Sequence, residues 1–360
     1  MSFSFSFSGD DIEDVPTTDA DPPVPNHAAE TGQLRKRAPS TAFPISGQPL
    51  LTPQAHSLES LLESLPSKIQ YSTLNVKLDD GTEVRFPRRE LWDVRVQLMA
   101  EDDEEGLGNL GKDDVKTGVY EGGFKSWESS VDLVRVLAAR RGELLAGDAR
   151  RILELGCGTA LPTLAVFQWA LQSSAERSSN PLHLSFADYN PTVLRLVTLP
   201  NILLSWAQTT HQEREGPWEP TSELEITESL LAAFAASLQQ CNISLTFYSG
   251  AWSPSFVSLV QSEVSHAPAS LTIIGAETIY SPAALKAFAE TLIAVLMLDK
   301  DTSKSMALVG AKMVYFGVGG SVEDFCDLVV LHGASVERIR MEEDGVRRAV
   351  VKVCMAEIEA

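Results

Sequence analysis

The sequence predicts an α/β protein: a doubly wound, mostly parallel sheet of seven strands with helices on both faces, preceded by an N-terminal extension. Three observations predict it. Short apolar runs alternate with helix-like segments, the pattern that builds parallel sheets. The run Arg151-Ile-Leu-Glu-Leu-Gly-Cys-Gly-Thr-Ala-Leu-Pro162 sets a strand, a glycine turn and a helix start in direct succession. The last two strand-like runs, Ser335–Met341 and Arg347–Ala356, are split by Asp344-Gly345, a turn dipeptide that makes them a hairpin and gives the sheet an antiparallel end.

The central run carries the first functional signal. Ile152, Leu153 and Leu155 form its strand, and Gly156-Cys157-Gly158 is a turn that tolerates positive φ and close backbone approach. Pro162 sits where a first helical turn accepts it. A strand, glycine turn and helix N-terminus cradle an anionic or nucleotide-like ligand. The dinucleotide fingerprint requires a small residue three places after the second glycine, and that place is Leu161. An acid, Glu154, stands two residues before the first glycine. Acid-x-Gly-x-Gly at a strand end points to S-adenosylmethionine, with structural glycines or another nucleotide as the alternatives.

Composition narrows the class. With 44% hydrophobic and 22% charged residues the 360-residue chain reads as a soluble globular protein. No run has the ~18 apolar residues that a membrane span needs. The start, Met1-Ser-Phe-Ser-Phe-Ser-Phe-Ser8, lacks a basic region and a continuous apolar core, so it does not read as a signal peptide. Cys157, Cys241, Cys326 and Cys354 stand apart without a C-x-x-C, so neither a zinc site nor a disulfide frame is indicated. These features predict a reducing, intracellular setting. A net charge of −20 repels phosphate backbones, so direct nucleic-acid binding is not expected and a basic partner is favoured.

Along the chain, residues 1–66 read as a disordered acidic tail, 67–118 as an extension of hairpin and helix packed on the core, and 119–360 as the catalytic domain. Tyr71–Leu78 and Glu83–Phe86 flank Asp80-Gly81 as a hairpin, and Glu90–Glu101 reads as a helix. Tyr120-Glu-Gly-Gly-Phe-Lys-Ser-Trp-Glu128 precedes a helix at Ser129–Arg141, with Ser129 or Ser130 as its cap. Trp127 either covers a ligand or anchors that helix. Leu182–Phe186 is the second strand, ending at Asp188-Tyr189-Asn190, where Asp188 can accept from ribose hydroxyls and Asn190 can cap the next helix. Residues 207–222 read as an insertion, and Glu223–Gln240 as a helix. Ile243–Tyr248 is the third strand, closing in Ser249-Gly250-Ala251-Trp252, where small residues admit an adenine ring against Trp252. Leu271–Gly275 is the fourth, running into Ala276-Glu277-Thr278-Ile279-Tyr280. Met306–Lys312 is the fifth, followed by a second glycine-rich turn, Tyr315–Ser321. In such sheets ligands bind outside the carboxyl ends of the strands. Glu154, Asp188, Gly250, Glu277 and Tyr280 should therefore face one crevice.

Taken together, Arg89–Met99, Tyr120–Glu128, Glu154–Pro162, Asp188–Trp206, Ser249–Trp252, Glu277–Tyr280 and Tyr315–Ser321, with the Phe/Ser start, resemble the eukaryotic protein-histidine methyltransferases, their fungal members above all. Glu-Gly-Gly-Phe-Lys-Ser-Trp-Glu and Glu-Thr-Ile-Tyr are the most specific of these blocks. The resemblance implies a class I methyltransferase fold using S-adenosyl-L-methionine. It implies cofactor contacts from Trp127, Glu154, Gly156, Cys157, Gly158, Asp188, Tyr189, Asn190, Gly250, Ala251, Trp252 and Glu277. It further implies methylation of a histidine at the tele nitrogen in a basic ribosomal protein, the third of the large subunit, in cytoplasm and nucleus. The chain is expected to act as a monomer and without metal. Ala276 stands where the family usually has serine. Glu277 and Tyr280 are the residues expected to border the target imidazole. Two other readings remain open from the residues alone: a lysine or small-molecule methyltransferase on the same scaffold, and a non-catalytic ribosomal-protein escort.

Overall fold

The computed structural model describes residues 50–101, 123–145, 149–173, 181–211, 218–263, 270–299 and 305–356. The strands are β1 (Gln54–His56), β2 (Lys68–Lys77), β3 (Glu83–Arg89), β4 (Arg150–Leu155), β5 (Leu182–Asp188), β6 (Thr221–Glu225), β7 (Ile243–Ser249), β8 (Ser270–Ala276), β9 (Met306–Lys312), β10 (Ala334–Glu342) and β11 (Arg348–Met355). The helices are α1 (Leu58–Glu63), α2 (Leu91–Ala100), α3 (Glu128–Ala139), α4 (Arg141–Leu145) and α5 (Leu161–Gln172). Next, α6 opens at Pro191–Val193, widens to a π-turn at Leu194–Thr198 and continues as Leu199–His211. Then come α7 (Glu228–Gln240), α8 (Pro254–Glu263), α9 (Pro282–Leu296) and α10 (Val322–Leu331).

The main sheet runs β1-β7-β5-β4-β8-β9-β11-β10. The pairs β7/β5, β5/β4, β4/β8 and β8/β9 are parallel, while β11 and β10 close one end antiparallel. The seven expected strands are all present. The central strands are nearly all apolar because both faces are covered. On β4, Ile152 joins the core under α3, α5, α6 and α7, while Leu153 and Leu155 join the core under α8, α9 and α10. After β4 the chain moves outward through β5 and β7, then returns to β8 on the other side of β4. That reversal is the topological switch point where an α/β sheet opens its ligand crevice.

One expectation is corrected and a second extended at the N-terminal side. The ordered part does not begin near residue 67: β1 pairs antiparallel with β7 as an eighth strand, and Ser57 caps α1 by accepting from Ser60 N–H. The expected tail's first 49 residues, the Phe/Ser start among them, lie outside the described residues. The hairpin and helix expected for the extension are present as β2, β3 and α2, and a third strand joins them. β2 pairs with β3 on one side and with β6 on the other, forming a second sheet. The end of the expected insertion and the start of the expected helix thus supply a strand, because Thr221–Glu225 alternates exposed and half-buried positions against β2. The helix expected from Glu223 starts instead at Glu228, where Thr227 caps it. The second sheet covers α5 and α6: Tyr71 stacks on Trp218, Gln168 donates to Arg85 O, and Asn201 Oδ1 accepts from Arg89 N–H. This cover explains why α5 is buried from Leu161 through Leu171.

Candidate active site

The tips of β4, β5 and β8 lie level, with Leu155 opposite both Ala187 and Gly275. They open into a cleft of about 780 Å³, its mouth included. Of the residues predicted for the site, Trp127, Gly156, Cys157, Gly158, Asp188, Tyr189, Trp252, Glu277 and Tyr280 line it. Glu154, Asn190, Gly250 and Ala251 do not line it, and each has a visible reason.

Glu154 is 1% exposed, and its Oε2 accepts from Thr163 N–H at 3.1 Å. It caps α5 instead of lining the cleft. Burial, with some help from the nearby Asp188 carboxylate, pushes its pKa up to about 8. Asn190 fills the role of helix cap: its Oδ1 accepts from Thr192 N–H at 3.0 Å. Gly250 turns at φ +103°, and a Cβ there would lie 2.7 Å from Pro53 Cα. Ala251 N–H donates to Leu51 O at 2.9 Å. The arm leading into β1 therefore covers the Gly250–Ala251 turn, which was expected to face an adenine ring.

The glycine turn behaves as its composition requires. Gly156 and Gly158 have φ of +67° and +49°. A Cβ on Gly158 would stand 3.0 Å from Gly123 O, so the loop before α3 can press against the turn. Between the glycines, Cys157 is buried with Sγ 3.6 Å from Thr198 Oγ1. Burial pushes its thiol well above the ordinary value, so it is not a thiolate nucleophile. Asp188 is oriented by two backbone donors: Gly158 N–H reaches Oδ2 and Asn190 N–H reaches Oδ1, each at 3.0 Å. A carboxylate held this way at a strand tip is an acceptor of the kind that takes sugar hydroxyls.

Glu277 stands out. It is a non-glycine residue at φ +56°, in the left-handed region that costs about 1–3 kcal/mol and collects at functional sites. Its Oε1 accepts from the Ser129 hydroxyl, and its Oε2 accepts from the Tyr315 hydroxyl at 2.5 Å. Burial raises its pKa, while the two hydroxyls and the charges of Lys312 and Arg348 pull the other way. Ser129 is thus not the helix cap it was expected to be; α3 has Trp127 at its N-cap with no side-chain cap bond. Lys312 Nζ lies 5.4 Å from the centroid of the Trp127 ring, holding that ring at the cleft edge. Arg348 is engaged by Asp132 at 2.7 Å and Glu128 at 3.0 Å.

These residues fit S-adenosylmethionine on observations of the chain itself. The glycine cradle would be filled by Cβ atoms, since one on Gly156 would come within 2.9 Å of Thr278 Cγ2. Asp188 offers acceptors at a strand tip, Trp127 and Trp252 offer apolar faces, and Thr278 Oγ1 is buried without a hydrogen-bond partner. Ser129, Lys312 and Tyr315 were not predicted as site residues. Tyr315 lies just past the tip of the next strand, β9, so the rule that exposed the other residues would have found it.

No family model matches the chain. A Saccharomyces cerevisiae protein named histidine protein methyltransferase 1 is 34% identical over 352 residues, spanning 90% of this chain and 89% of that protein. The chain belongs to the histidine protein methyltransferase family. A Schizosaccharomyces pombe protein of the same name is 36% identical over 318 residues, spanning 84% of this chain and 85% of its own. As a member of this methyltransferase family, the protein depends on S-adenosylmethionine. A Listeria monocytogenes structure described as a class I S-adenosylmethionine-dependent methyltransferase has a TM-score of 0.36 at 13% identity, over 75% of this chain and 70% of that one. The fold assignment rests on the strand order above. Among the described residues no helix is long and apolar enough to cross a membrane.

Proposed function

We propose that this methyltransferase modifies the tele nitrogen of a histidine side chain in a basic ribosomal protein, the third of the large subunit, in cytoplasm and nucleus, and that it acts as a monomer. The observation that carries the reading is the cleft-lining carboxylate of Glu277, held by the Ser129 and Tyr315 hydroxyls, in a chain related to proteins named for histidine methylation. S-adenosylmethionine supplies an electrophilic methyl carbon on a sulfonium. What remains for the protein is to align a nucleophile with that carbon, and such positioning contributes ~7–11 kcal/mol in favourable cases.

Imidazole has an ordinary pKa near ~6.5, so it is largely neutral at pH 7 and needs no strong base to become nucleophilic. It needs an acceptor for its other ring N–H, which fixes the tautomer and raises the basicity of the attacking nitrogen. Glu277 supplies that acceptor. Its burial-raised pKa also suits it to take the proton that the alkylated ring must lose. A lysine substrate would have to shed a proton before attack, with its pKa near ~10.4. Trp127 and Tyr280 flank the cleft and exclude water from the transfer. The net charge of −20 favours encounter with a basic ribosomal protein.

The test is incubation of the enzyme with isotopically labelled S-adenosylmethionine and the purified ribosomal protein, followed by peptide mass spectrometry. One added methyl on a histidine, located at the tele nitrogen by fragment standards, is the expected result. Label on lysine, or none at all, would remove the reading.

A further inference from the structure

Glu277 sits at the tip of β8, yet its orientation is set from elsewhere. One hydroxyl comes from α3 and the other from the turn after β9. The Tyr315 hydroxyl gives its proton to Glu277 Oε2 at 2.5 Å and accepts from Lys312 N–H at 3.3 Å. Its position is therefore referenced to the backbone of β9. The turn that carries it is also tied to the Glu277–Tyr280 segment. Tyr315 N–H donates to Gly320 O at 2.9 Å, and Gly320 N–H donates to Tyr280 O at 3.2 Å. A Cβ on Gly320 would lie 1.9 Å from Ile279 O, so the two segments touch through backbone atoms alone.

The chemistry of this clamp is specific. Charged groups face Glu277 from β9 (Lys312) and β11 (Arg348), and both act on it through their charge. Lys312 Nζ lies over the Trp127 ring, and Arg348 is bonded to Asp132 and Glu128. The groups that donate hydrogen bonds to the carboxylate are the neutral Ser129 and Tyr315 hydroxyls. A neutral donor orients a carboxylate without cancelling its charge, whereas a bidentate guanidinium would consume both oxygens. The carboxylate thus stays a good acceptor while losing its rotational freedom.

We propose that Tyr315 is a positioning residue for methyl transfer: its hydroxyl, opposite that of Ser129, fixes the Glu277 carboxylate in the orientation that receives the N–H of the target imidazole. This rests on the histidine reading above. Tyr315→Phe keeps the ring and removes only the clamp. A double-mutant cycle with Glu277→Gln, in the full-length enzyme with its ribosomal-protein substrate, separates positioning from mere packing. The expected result is a kcat for Tyr315→Phe reduced about tenfold, with KM for protein and for methyl donor within about twofold. In the Glu277→Gln background the further loss from Tyr315→Phe is less than about twofold, because the group it positions is gone. Ser129→Ala lowers kcat in the same way and carries the test if Tyr315→Phe does not fold. An unchanged kcat in Tyr315→Phe, or losses that multiply in the double variant, would overturn the proposal while leaving the histidine reading intact. A wild-type enzyme that marks no histidine would overturn both.

Discussion

Replacing Glu154 by glutamine is the sharpest test of how the cleft is built. The carboxyl group is 1% exposed and caps α5 through Thr163 N–H. Burial lifts its pKa from the ordinary 4.5 to about 8. The sign follows from linkage. A raised folded-state value means the native state binds the proton more tightly than the unfolded chain. The stability it contributes is complete below the unfolded value and is lost as pH rises towards the folded one. Between about pH 5.5 and 7.5 the unfolded chain is ionised at this position while the native protein is mostly protonated, so each unit costs about 1.4 kcal/mol. The interval costs wild type about 2.5 kcal/mol. Glu154→Gln is neutral throughout and keeps a carbonyl oxygen for Thr163 N–H. Its stability advantage over wild type should therefore grow by about 2.5 kcal/mol across that interval, roughly 3–5 °C in Tm for a chain of this size. Thermal unfolding of both proteins across the pH series measures it. A Tm difference that stays flat with pH would show that Glu154 is not a buried, protonated cap.

Three further outcomes are expected. Gly250→Ala forces a Cβ to 2.7 Å from Pro53 Cα at φ +103°, so it should displace the arm before β1 and cost about 1–3 kcal/mol, seen as faster hydrogen exchange over Leu51–His56 with protection of β4 unchanged. Asp188→Asn removes a charged acceptor at the tip of β5 and should weaken S-adenosylhomocysteine binding about 10–100-fold by calorimetry; a Kd within about twofold of wild type would exclude a ribose contact. Asp132→Ala leaves Arg348, whose side chain is 9% exposed, with Glu128 as its remaining carboxylate partner and should cost about 3 kcal/mol in chemical denaturation; a loss under about 1 kcal/mol would show that Glu128 alone satisfies the guanidinium.

The main sheet was legible in the sequence because its strands are short apolar runs with turn residues between them, a local signal. Asp188, Glu277 and the glycine turn were legible for the same reason: each ends a strand. Glu154 is buried behind the cleft because its side chain alternates to the side of the strand that faces α5, and burial rather than residue type decides which way an acid points. The second sheet was not legible, since β6 is a short amphipathic run whose partner lies far back in the chain. β1 was hidden in a proline-rich stretch, where three residues pair only because β7 presents an edge. Ser129 looked like a helix cap because serine usually is one. Only the approach of β8 to α3 gives it a carboxylate to bond instead.

The second sheet also sets a timetable for making the protein. Lys68 and its partner Glu223 are 155 residues apart. At ~5–20 residues per second of synthesis, β2 waits roughly 8–30 s for the strand that closes its free side. During that wait one edge of the β2–β3 hairpin offers unpaired backbone groups, the template on which neighbouring chains aggregate. Nascent chains halted before Thr221 should therefore depend more on chaperones than chains released after Glu225, and the mature fold bears the mark of that order in a sheet completed last by a segment from the middle of the enzyme.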